Sequence, residues 1–367
     1  MLTVKKNLLS RKGLDKDVPA KSRLIALDVT KGFVMLAMAS VHCSFFFSEK
    51  LISIPFRLFD PFIFPSFLLC FGIGNSLSRR PKRPGVLGKL LVVYLLGGLP
   101  SAVVTYLLNH KGVSVSRIPA IARDQLVDAV SLKNRLAYAD FLVPFLVAFA
   151  IFLGLQFLFK ELNRRTLAVA LGLSVIFYVG GYVLTQIAPD SPFQDLYSQG
   201  FRCLQSMPIF IAGICLGLFL RYNGKMPVLK PQALAGITLT FFVLIITSYW
   251  QYDRYLNGKV WKKSGDLSYL LISIIVSILL LFIVEGVIKS RFVQERFSLI
   301  TALLQKIGER TMKCLWIQLL LFPIAGYIVS TSFLKPLRML LALAAIGLMC
   351  WLTVDDRLIW SSQGQKR

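Results

Sequence analysis

Runs of about twenty mostly apolar residues, each closed by a short charged stretch, recur from Leu24 to Val354. At 1.5 Å per residue such a run crosses the roughly 30 Å of a bilayer's hydrocarbon core. The pattern places ten candidate spans near 24–47, 55–77, 88–108, 138–159, 166–187, 204–220, 232–251, 267–288, 312–332 and 336–354. It predicts an all-α polytopic membrane protein, a bundle of about ten transmembrane helices over 24–354, between polar tails at 1–23 and 355–367.

Composition agrees with that solvent. The 367 residues are 56% hydrophobic and 16% charged, with 28 Phe and a mean hydropathy of +0.66, too apolar for a water-soluble globule. The net charge of +24 is spread over many short connections, which disfavours a nucleic-acid partner and favours a topological role. With the N-terminus in the cytoplasm, 27 of the 42 Lys and Arg fall on the inner side and 14 on the outer, Lys31 remaining in the membrane. The contrast is sharpest in short loops: Arg79, Arg80, Lys82, Arg83 and Lys89, then Lys160, Arg164 and Arg165, then Arg221, Lys225 and Lys230. Cytoplasmic loops carry the excess of Lys and Arg, so both termini are expected inside. The basic stretch 1–23 is too long and polar for a signal-peptide n-region, and the first span is expected to stay as an anchor.

Within the apolar runs, the polar residues carry the chemistry. Lys31 and His42 sit in the first span, and a lysine near the centre of a membrane helix costs about 2.5 to 3.5 kcal/mol on insertion scales. Eleven residues at about 100° each bring both side chains to one helix face, about 16 Å apart along the axis. Asp28, three residues before Lys31, is its neighbour on the helix surface, and an ion pair there lowers the cost of inserting both charges. A purely structural reading is an Asp28–Lys31 pair with His42 hydrogen-bonded to a neighbouring helix.

The stretch from Arg23 to Gly32, Arg-Leu-Ile-Ala-Leu-Asp-Val-Thr-Lys-Gly, followed by a helix reaching His42, resembles the opening of the acyltransferase-3 family of membrane O-acyltransferases. That family carries an Arg/Lys-x10-His signature after a leucine–aspartate pair, here Leu27-Asp28. The stretch from Gly308 to Gln318 resembles its late segment, which often ends in a histidine; this chain has Gln318 there. The resemblance implies ten helices, an inward N-terminus and an acyl donor, acetyl-coenzyme A, entering from the cytoplasm. It also implies a carbohydrate or glycolipid acceptor, and a place in the cytoplasmic membrane.

Acyl transfer to a hydroxyl needs a base, which an imidazole with an ordinary pKa near 6.5 supplies, so His42 is the candidate base. It also needs positive or dipolar groups where negative charge collects, a role for Lys31. Several fixed cations suit the donor's phosphates. Arg80 and Arg83, with the Arg-x-x-Arg spacing the family shows near its third span, and Lys89 are the candidates; positive-inside topology alone also explains them. Trp316, Gln318 and Arg202 are candidate acceptor contacts, and the outer segment Asn109 to Ala137 is a candidate lid or acceptor-binding element. Glu285 is expected to reach the inner interface or to serve the site. Asn75 and Ser76, beside Gly72 and Gly74, read as a helix-packing face, and His110 reads as a solvated surface residue. The six cysteines lack metal-ligand spacing, so no metal is expected. No P-loop, His-Glu-x-x-His or Gly-x-Ser-x-Gly is present. Three functions stand: an O-acetyltransferase; a transporter or flippase using Asp28, Lys31 and His42 as a relay; and an amino-sugar N-acetyltransferase of the heparan-α-glucosaminide type.

Overall fold

The computed structural model describes residues 24–48, 50–53, 56, 59–77, 84–110, 114–130, 142–187, 202–223, 226, 230–254, 267–331 and 335–355. Among them the secondary structure is entirely helical. In chain order the main helices are α1 (Ile25–Phe46), α2 (Asp60–Leu77), α3 (Gly85–Asn109), α4 (Ile118–Val130), α5 (Leu142–Leu155) and α6 (Arg164–Ile187). There follow α7 (Met207–Asn223), α8 (Pro231–Arg254), α9 (Leu267–Lys289), α10 (Arg291–Arg296), α11 (Ser298–Glu309), α12 (Thr311–Thr331) and α13 (Arg338–Val354).

Six of these are long and apolar enough to cross a membrane: α1, α3, most of α6, α7 with the short helix before it, α9 and α12. Helix also occupies the other four predicted segments, as α2, α5, α8 and α13, of which α5 is the shortest at 14 residues. The tail 1–23 and residues 356–367 lie outside the described residues.

Burial sorts centre from periphery. About 67% of the most apolar window of α1 is buried, against 11% for α6, whose Leu171 and Ile176 point outward. Those exposed leucines and isoleucines suit lipid, which is as apolar as they are, so close packing and hydrogen bonds are what hold the centre together. α1 touches α2, α9, α11, α12 and α13.

The tightest contacts are made at glycines. On α1 and α11, a Cβ on Gly32 would collide with the carbonyl of Leu304, and one on Gly308 with the carbonyl of Asp28. On α2 and α7, Gly72 lies against the backbone of Phe210 and Ile214, and Gly213 and Gly217 against the backbone of Leu69 and Ile73. Small residues at such crossings let two backbones meet without a side chain between them. Gly213 and Gly217 keep the four-residue spacing that puts both on one face.

Paired contacts also fix relative direction. Leu69 with Gly213 and Ile73 with Gly217 make α2 and α7 parallel. α9 runs the same way, since the Tyr269 hydroxyl donates to the carbonyl of Pro61 at 2.7 Å, and Ser66 and Ser277 bond at 3.0 Å further along. α12 runs parallel to α1, with His42 beside Gln318 and Phe46 beside Gly326. α3 joins that set through the Ser101 hydroxyl, which donates to the Leu319 carbonyl at 3.0 Å, and Gly97 against Trp316. α13 opposes α12, because Cys314 meets Met349 while Arg310 meets Thr353.

Basic side chains close two helix ends. Arg310 donates to the carbonyls of Val354 at 2.7 Å and Thr353 at 3.2 Å, and the Lys313 ammonium donates to that of Asp355 at 2.7 Å. Arg221 does the same for α2, donating to the Ser76 carbonyl at 3.2 Å and to the Lys160 carbonyl beyond it. The last carbonyls of a helix have no partner within it and lie at its negative end, so cations there satisfy both needs.

Candidate functional site

α1 builds the site. The Lys31 ammonium pairs with the Asp28 carboxylate at 2.6 Å, with the two side chains 21% and 5% exposed. The i, i+3 spacing makes that contact within a single helix turn, as the sequence predicts. Next to it, the Thr30 hydroxyl is buried without a hydrogen-bond partner among the described residues.

His42 lies eleven residues along the same face, half-buried near the other end of α1. Its Nδ1 meets the side-chain amide of Gln318 from α12, a contact between residues 276 positions apart in the chain. Gln318 is 1% exposed, and its Oε1 has no partner among the described residues. Asp60, the first residue of α2, stands close enough for its carboxylate to act on the His42 ring electrostatically. The imidazole therefore has an amide on Nδ1 and a carboxylate nearby, an arrangement in which its protons can be directed.

The other sequence candidates disperse. Trp316, two residues before Gln318 on α12, packs against Gly97 of α3. Gly97 closes a π-helical segment, Val93–Gly97, inside α3. Lys89 is exposed near the start of α3. Arg80 and Arg83 lie outside the described residues, as does the side chain of Arg202, whose backbone opens the short helix Arg202–Gln205. Glu285 pairs with Lys289 at 2.5 Å, one turn further on in α9.

Asn75 and Ser76 donate to carbonyls of their own helix, those of Phe71 at 2.9 Å and Gly72 at 3.2 Å, which fits the packing role. His110 is exposed, and its ring stacks on Tyr106 with centroids 4.2 Å apart. The candidate lid contains α4, an exposed helix that, with α3 and α12, borders an apolar groove of about 400 Å³. Neither Lys31 nor His42 lines that groove. Among the described residues, no three His, Cys, Asp or Glu side chains gather as a metal site would require.

Sequence reasoning missed Asp60 and the partner of His42. Asp60 had a signal, being the lone acid of the predicted span 55–77. The sequence offers Gln318 as an acceptor contact, but nothing in its own neighbourhood ties it to His42. No family model, curated protein or solved structure matches the chain.

Proposed function

We propose that this chain is an integral-membrane acyltransferase that moves an acetyl group from acetyl-coenzyme A to a hydroxyl of an extracytoplasmic glycan or glycolipid. The observation that carries the reading is one helix face bearing a lysine–aspartate pair at one level and, about 16 Å further along, an imidazole gripped by a buried amide. The resemblance of the segment around Lys31 and His42 to the acyltransferase-3 opening supplies the reaction class.

In this reading the acceptor hydroxyl oxygen attacks the thioester carbonyl carbon while His42 takes the hydroxyl proton. The carbon–sulfur bond then breaks, sulfur keeps its electron pair, and the imidazolium returns the proton to the leaving thiolate. Lys31, held by Asp28, supplies positive charge on the donor side. Ten crossings with both termini in the cytoplasm fit this division. Helices 1, 3 and 9 of the predicted ten (α1, α3 and α12) run parallel to one another, as do helices 2, 6 and 8 (α2, α7 and α9), and helix 10 (α13) opposes helix 9. Strict alternation requires that assignment. Arg80, Arg83 and Lys89 would then lie on the donor side, available to its phosphates.

The test uses the purified protein in liposomes with radiolabelled acetyl-coenzyme A and a glycan acceptor. Transfer of label to the acceptor is expected, and His42→Ala should lower the rate by a factor of about 10² to 10⁴. Undiminished labelling with a folded His42→Ala protein defeats the assignment. Base-labile label on the acceptor indicates an ester and base-stable label an amide, which separates O- from N-acetylation. Acceptor movement across the bilayer without acetylation identifies the transporter.

A further inference from the structure

Gln318 is held in an unequal position. One end of its amide meets Nδ1 of His42, and the other is buried without a partner among the described residues. A buried polar atom left in that state costs about 1–3 kcal/mol. The contact with Nδ1 accounts for one end of the amide, and the spare end points to a ligand.

A glutamine amide has two orientations of nearly the same shape, related by a half-turn. In the one seen, Nε2–H donates to Nδ1, so the neutral ring carries its proton on Nε2 and has no lone pair there. After a half-turn, Oε1 accepts from Nδ1–H, the ring's lone pair moves to Nε2, and the amide N–H group becomes the spare end. The first orientation offers a ligand an acceptor, and the second offers it a donor. Only the second leaves Nε2 able to take a proton.

We infer that Gln318 is the carbonyl subsite for the acyl donor and sets the tautomer of His42. This rests on the acyl-transfer reading above. The donor's carbonyl oxygen accepts from the Gln318 amide N–H, which holds the amide in its turned orientation and leaves the Nε2 lone pair of His42 facing the acceptor. As the hydroxyl oxygen bonds to the carbonyl carbon, its proton passes to Nε2 and negative charge collects on the oxygen facing the amide. When the carbon–sulfur bond breaks, the electron pair goes to sulfur and the Nε2 proton follows it. Nδ1–H stays on Gln318 Oε1 throughout. The charged groups around the ring act in the same sense: Asp60 steadies the transient imidazolium, and Lys31, about 16 Å away along α1, stays outside the proton path. A base that appears only when a carbonyl occupies the subsite does not act on an empty site.

The chain has two histidines, so His110→Gln leaves His42 as its one imidazole. Its ring nitrogens, labelled with ¹⁵N in lipid bilayers, report the tautomer directly by NMR. The probe is a ketone analogue of acetyl-coenzyme A with methylene in place of sulfur and a ¹³C carbonyl whose signal reports binding. Without it, His42 is expected as the Nε2–H tautomer; with it, as Nδ1–H.

Gln318→Leu should bind the analogue without the switch and lower acetyl transfer about 100-fold, the usual cost of losing one oxyanion donor. Gln318→Glu keeps an acceptor for Nδ1–H but loses the N–H. It should hold His42 as Nδ1–H with or without the analogue, and weaken its binding about tenfold. Analogue bound with the tautomer unchanged, or the same switch in Gln318→Glu, overturns the role of Gln318 and leaves acyl transfer standing. Failure of the wild-type chain to bind the analogue overturns both.

Discussion

At the scale of single residues, the Asp28–Lys31 pair and the Gln318–His42 contact answer one problem in two ways. A charge or polar group taken out of water must find a partner. Lys31 finds it one turn away on its own helix, and His42 finds it on another helix. The local solution is readable from spacing, since residues three apart share a helix face. The long-range one is not, because a contact across 276 positions depends on where α12 comes to rest. Removing one member of a buried ion pair strands the other. Asp28→Asn and Lys31→Gln should each lower the stability of the detergent-solubilised protein by about 3 kcal/mol, and the double variant by less than the sum. Thermal unfolding of all four proteins checks this, and additive losses would mean that the pair is not coupled.

At the scale of elements, the predicted spans emerge as helices, while the pieces between them hold the surprises. α11 is 12 residues long, too short for a membrane-sized window, yet it packs along α1 with backbones in contact at Gly32 and Gly308. Nothing in its apolar content announces this. The signal is the small residue at each crossing, which makes sense only once the partner helix is known. Substitution at these glycines should separate packed positions from free ones. Gly308→Val should cost several kcal/mol, because its first added carbon meets the Asp28 carbonyl, whereas Gly74→Ala, with nothing within 4 Å, should be neutral or slightly stabilising. The yield of monodisperse protein after heating reads both. Equal yields for the two variants would show that the α1–α11 contact is not tight.

At the scale of the whole molecule, hydropathy made the all-helical class legible, and charge asymmetry made the orientation a definite expectation. Six spanning helices are evident from length and apolarity; α2, α5 and α13 are at most 18 residues long, and α8, though 24 residues long, is apolar mainly over Pro231–Thr247. Orientation has its own measurement. Single cysteines introduced at Ser114 and Gln363 in a cysteine-free background should react oppositely with a membrane-impermeant maleimide applied to intact cells. Ser114 is expected to label and Gln363 to be protected until the membrane is opened. Labelling of Gln363 in intact cells would reverse the assignment of the donor and acceptor sides.

The glycine seam between α1 and α11 has one more consequence. Two helices whose backbones touch resist sliding and rolling past each other, so the face bearing Lys31 and His42 belongs to a helix locked against its neighbour. In the acyl-transfer reading, an opening that admits the acceptor would come from helices without such a seam, such as the outward-facing α6. On that reading the chemistry stays still while the wall around it moves.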